Sequence, residues 1–127
     1  MSRIKTLSFA GIITASMATP TLASPDLVQT FAGCAGRMSA QMEHAWLVND
    51  PAAPDYEGQR LTFLTLLDAT LAQGQERDAL HHRIESKLAH ASLLTIATFS
   101  DRPDRAKQAR MRAKWHLMSC TEMLLDS

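Results

Sequence analysis

The chain has 127 residues, thirteen basic and thirteen acidic side chains, and no formal net charge at pH 7. That balance excludes the strongly basic footprint of a nucleic-acid-binding domain, and the length sets a single domain with a modest core. Aromatic residues make up only 6 % of the chain; Ala, Leu, Met, Gln, Arg and Glu dominate the part after residue 23, and these are helix formers.

The first element is not part of the fold. Arg3 and Lys5 precede an apolar run over residues 7–18, which Pro20 breaks. Thr21 and Ala23 then place small residues before Ser24, the pattern of a cleavable export signal. The run is too short for a membrane span, which needs about 20 apolar residues, so an uncleaved anchor fits less well. The expected organisation is a signal peptide over residues 1–23 and one helical domain over residues 24–127, periplasmic or secreted, with no stable membrane span after cleavage. Removing Arg3 and Lys5 leaves eleven basic and thirteen acidic side chains.

Four helices follow in chain order. Over residues 25–49, Leu27, Phe31, Cys34, Met38, Met42 and Ala45 recur at steps of three and four and define one buried stripe. Pro51 and Pro54 end it. Asp55 is the expected N-cap of the second helix, whose stripe is Leu61, Leu64, Leu67 and Leu71, widened by Phe63 and Leu66 and stopped by Gly74. The third, over residues 75–98, carries Leu80, Ile84, Leu88, Ala91 and Leu94. Ser100 or Asp101 with Pro103 restarts the chain. The fourth buries Ala106, Ala109, Ala113, Leu117, Cys120 and Leu124. Short connections make an all-α, up-down-up-down antiparallel four-helix bundle the simplest architecture.

The two cysteines sit on the stripes of the first and last helices, at matching levels of such a bundle. An even cysteine count in a small exported protein reads as a disulfide, so Cys34 and Cys120 are expected to be joined. The sequence Phe31-Ala32-Gly33-Cys34 faintly resembles a lipobox, but Pro25, Asp26 and Gln29 make a poor apolar run ahead of it. There is no Cys-x-x-Cys, and so no thioredoxin-like motif.

With the disulfide as a ruler, Met38 is expected to face His116. A methionine and a histidine on the outer helices of a periplasmic bundle resemble the ligand pair of four-helix b-type cytochromes; the resemblance covers those two residues only. Met42, His44, Met111, Met118 and Met123 lie on the same two helices and would suit copper, but no dense Met or His motif collects them. Methionine also fills cores, so Met38 and His116 are metal candidates and the expected cofactor is none. On the third helix Asp78, His81 and Glu85 share one face, read as exposed and salt-bridged. A di-iron bundle needs a second such set, and the sequence holds one.

No nucleophile elbow, zinc-protease motif or P-loop is present, so no catalytic residue is assigned and the protein is read as a non-enzyme. Trp46 and Tyr56 flank a proline-rich loop and are either a binding patch or a lid on the end of the core. Six cations at Arg102, Arg105, Lys107, Arg110, Arg112 and Lys114 against Asp104 mark either an acidic partner or membrane surface, or a solvated helix face. The resulting expectation is a small exported interaction module for another envelope protein, with a metal- or haem-binding bundle on Met38 and His116 as the alternative. Arg37, Gln41 and His44 are expected in solvent.

Overall fold

The computed structural model describes residues 25–125; the proposed signal peptide over residues 1–23 lies outside them. Four helices make up the fold: α1 (Pro25–Leu47), α2 (Ala53–Thr70), α3 (Glu76–Phe99) and α4 (Pro103–Leu125). No strand occurs among the described residues.

Local chemistry sets the helix ends. Asn49 adopts φ 55°. The Asp50 N–H reaches back to the Ala45 carbonyl at 2.8 Å and the Asn49 N–H to Trp46 at 3.3 Å, the paired bonds of a Schellman stop. The Asp50 carboxylate then accepts the Ala52 N–H at 2.9 Å, and Pro54 sits in the first turn of α2. Asp55 is therefore inside that turn rather than capping it, its charge at the positive end of the helix. α2 also ends before Gly74. Leu71 turns extended while its N–H still bonds Leu67, and Gly74 takes φ 90° in the loop, its N–H meeting Glu76 Oε2 at 2.9 Å.

The packing differs from a ring of chain neighbours. α1 is the hub, with α2 and α3 packed on it; α4 packs on α3 and meets α1 over a short stretch, while the α2 backbone approaches neither α3 nor α4. The α1 and α3 contacts number upward together. Gly33 lies beside His82, Gln41 bonds His90 at 3.0 Å, and His44 bonds Thr98 at 3.0 Å.

Glycine makes this pairing possible. A Cβ on Gly36 would stand 2.2 Å from the Arg83 carbonyl oxygen and 3.0 Å from the Lys87 nitrogen, so α3 backbone occupies the space that a side chain would need. A close approach requires small residues on α3 as well. Its buried face is Ala79, Ser86, His90, Leu94 and Ala97, a row at helical spacing with Arg83 between the first two. The expected stripe is displaced: Leu80, Ile84 and Leu88 are exposed, Leu88 at 65 %. On α2 the burial falls on Phe63 and Leu67, while Leu61 is exposed. Phe63 meets Phe31 of α1 with ring centroids 6.4 Å apart.

α1 and α4 follow their sequence patterns more closely. Phe31, Cys34, Met38, Met42 and Ala45 are buried, as are Ala106, Ala109, Ala113 and Cys120. Cys34 and Cys120 form a disulfide across 86 residues, with Cα atoms 5.6 Å apart. Chain entropy alone assigns such a loop roughly 4.5 kcal/mol of stabilisation, a large contribution for a core lined mostly by alanines.

The crossing predicts opposite outcomes at two glycines. Gly36→Ala should destabilise by about 2–3 kcal/mol, because backbone rather than a flexible side chain must move. Gly58→Ala, in α2 with nothing within 4 Å of the added carbon, should stabilise by about 0.5–1 kcal/mol. Urea unfolding with the disulfide intact measures both.

Candidate functional site

The disulfide positions the most polar part of the interior. Arg37 lies one turn along α1 from Cys34 and is half-buried; its guanidinium donates to Cys120 Sγ at 3.7 Å. Gln41, one turn further, bonds His90 Nε2 through Oε1. His44 follows at the next step, on Thr98. These three residues, expected in solvent, instead form the seam along which α1 meets α3 and α4.

His90 is 2 % exposed, one of two buried polar residues among the described residues. Its Nδ1 is buried without a hydrogen-bond partner. Desolvation, then the positive charges of Arg37, His116 and His44, push its pKa from 6.5 down to about 4. Burial, Arg37 and Arg112 lower His116 as well, and burial lowers Arg37. Arg37, His82, Glu85, Ser86, His90 and His116 line a groove of about 250 Å³ between α1, α3 and α4.

The residues singled out from sequence are distributed differently. Met38 is 0 % exposed within the core cluster, whereas Arg37 is the α1 residue that lines the groove with His116. The helical register around the disulfide thus puts the guanidinium, one position earlier, beside the imidazole. Among the described residues no group of three His, Cys, Asp or Glu side chains could hold a metal ion. His81 and Glu85 are both exposed and 3.3 Å apart. Tyr56 packs against the core cluster and lines a cavity of about 220 Å³ with Gln41, Leu94, Arg110 and Leu117. Trp46 stands 53 % exposed at the end of α1, followed by exposed Leu47 and Val48. It does not close the core as a lid would.

A second surface lies on α4. Met111, Trp115 and Met118 fall at i, i+4 and i+7 and are all exposed, Trp115 at 65 %. Met111 and Met118 thus lie opposite the buried face of α4. Of the six neighbouring cations, Arg102 pairs with Asp104 at 3.4 Å and Arg110 donates to the Ala97 carbonyl at 3.0 Å. Arg105, Lys107, Arg112 and Lys114 enter no ion pair among the described residues. An apolar row flanked by uncompensated positive charge is a surface suited to an apolar, acidic counterpart.

No described helix is long and apolar enough to cross a membrane. Comparison with protein-family models, curated proteins and solved structures gives no match.

His90 gives the fold a pH signature. The folded chain holds the ring neutral, whereas the unfolded chain protonates it below about 6.5. Its stabilising contribution is complete above pH 6.5 and is lost progressively as pH falls to about 4. The loss should amount to roughly 3 kcal/mol. His90→Gln should remove that part of the slope, measured as the difference between the two proteins' urea-unfolding free energies across this window.

Proposed function

We propose that this chain is a small, exported, non-catalytic helical module that binds another envelope protein. The observation that carries the reading is the outward row of Met111, Trp115 and Met118 on α4, with Arg105, Lys107, Arg112 and Lys114 around it and in no ion pair among the described residues. Tryptophan, methionine and arginine are enriched at protein interfaces, and a row at i, i+4 and i+7 matches the way one helix presents anchors to a groove or to another helix. The partner surface is therefore acidic at its rim and apolar at its centre.

Export is supported by the basic and apolar start of the sequence and by a disulfide that holds two distant parts of the chain. The chain runs up-down-up-down, and α4 can present its outer face because α3 and the disulfide hold only its inner one. The site of action is the periplasm or the exterior.

A photoreactive side chain at position 115 should crosslink to one envelope protein in intact cells, and the same group at exposed Gln73 should not. Trp115→Ala combined with Met118→Ala should abolish co-purification of that protein while changing stability by less than about 0.5 kcal/mol, the range for exposed sites. Equal crosslinking from both positions would remove the assignment of α4 as the binding face.

A further inference from the structure

We propose that the groove between α1, α3 and α4 is a binding site for a small oxyanion, a carboxylate or phosphate group held by Arg37 with His90 and His116 beside it. This site adjoins the outer face of α4, the His116 ring lying 5.2 Å from that of Trp115, and it does not depend on the reading of that face.

Three features of the groove describe its ligand: negative charge, a hydrogen-bond donor and small size. The first is charge. Arg37 is half-buried, and Cys120 Sγ is the only polar partner of its guanidinium among the described residues. A disulfide sulfur is a weak acceptor and carries no compensating charge, whereas a guanidinium presents five donors suited to a carboxylate or phosphate. The second is the orphaned atom. His90 is 2 % exposed and lines the groove, and its Nδ1 has no partner. Gln41 Oε1 can only accept, so Nε2 carries the hydrogen of that bond and Nδ1 of the neutral ring is a bare lone pair. A buried polar atom without a partner is costly, and a ligand hydroxyl would satisfy it. The third is size. At about 250 Å³ the groove lies below the roughly 300–1,000 Å³ of pockets that enclose drug-sized molecules. It suits a group the size of phosphate or a short carboxylic acid.

The hydrogen-bond pattern specifies how such a ligand sits. One ligand oxygen carries negative charge and accepts from Arg37; His116, on the facing helix, is a second donor when its ring nitrogen carries hydrogen. In hydrogen phosphate a second oxygen carries a hydrogen, and Nδ1 of His90 accepts the hydrogen bond from it. A carboxylate has no such hydrogen, so for that ligand His90 itself takes up a proton and donates. The carboxylate complex thus holds one proton more than the empty groove and the free carboxylate, and its affinity rises as pH falls; hydrogen phosphate brings its own proton from solution and needs no uptake. The charged and titratable groups facing His90 are Arg37 and His44 on α1, His116 on α4 and, along the groove wall of α3, His82 and Glu85. Glu85 is the one acid, and its carboxylate is 3.3 Å from His81.

The test is to titrate the folded, oxidised protein with inorganic phosphate, and separately with acetate, at pH 6 and pH 8. Ionic strength is held constant with chloride, and the imidazole nitrogens are followed by NMR. The expected result is a saturable change at His90 and His116 with at least one of the two anions, and acetate, if it is the one bound, binds more tightly at pH 6. The two titrations distinguish phosphate from carboxylate chemistry. Arg37→Gln should weaken the binding roughly tenfold or more, the loss expected for a charge-assisted contact, and Arg77→Gln, at an exposed position near the start of α3, should leave it unchanged. His116→Gln, at the solvent edge, gives the same test if Arg37→Gln does not fold. Linear, non-saturating shifts with both anions would overturn the assignment, as would equal loss in Arg77→Gln, which would mean general surface charge.

Discussion

The structure depends on the close approach of α1 and α3 at Gly36. A helix that must come within reach of another helix's carbonyl oxygens cannot present leucines at that crossing. α3 therefore turns its row of small and polar residues inward, with Arg83 contributing its backbone at the tightest point and Ala79, Ser86 and His90 along the same face. Leu80, Ile84 and Leu88 are left outside. With α3 seated on α1, α2 takes another side of α1, and α4 packs on α3 with the disulfide as its covalent link to the hub.

This arrangement explains why the disulfide matters so much. Alanines and glycines bury little apolar area per residue, and the largest fully buried side chains are Phe63, Met38, His90 and the two cysteines. At about 25 cal/mol per Å² of buried apolar surface, such a core stabilises less than one built from leucines. Restricting the unfolded chain through Cys34–Cys120 offsets part of that deficit. The same economy of large side chains leaves a seam between α1, α3 and α4 wide enough for Arg37, Gln41 and two histidines, which an apolar core of full-sized residues would have closed. The polar groove and the outward apolar rows on α3 and α4 are thus consequences of one packing choice.

Much of this was legible in the sequence, and the exceptions have physical causes. The number of helices, their breaks near Pro51 and Pro54, Gly74 and Pro103, the stripes of α1 and α4 and the cysteine pairing all follow from periodicity and composition. The α3 face does not, because hydrophobic periodicity weighs residues by apolarity, and Leu80, Ile84 and Leu88 outweigh Ala79, Ser86 and His90 on any such scale. The signal that would have identified the true face lies on another helix: Gly36 of α1 marks the place where the α3 backbone comes close, and Gly33, three residues before it, lies against the His82 and Ser86 side chains. Arg37 reads as a surface residue when its own helix is considered alone, and it is half-buried because that crossing sets α1 against α3; the same crossing buries His90. Met38 and His116 illustrate the limit of a ruler based on one disulfide. Matching levels along two helices does not fix rotation about their axes, and a difference of one residue exchanges a thioether for a guanidinium.

The most direct test is the rotational setting of α3 against α1, read from nuclear Overhauser contacts in the oxidised protein. The account predicts contacts between the Gly36 α-protons and the backbone amide of Lys87, with the methyl groups of Leu80 and Leu88 showing none to α1. Contacts from those leucine methyls to Ala32, Gly36 or Ala40, with the Gly36–Lys87 contact missing, would contradict it. They would mean that α3 buries its leucine stripe and that the seam holding Arg37 and His90 does not exist.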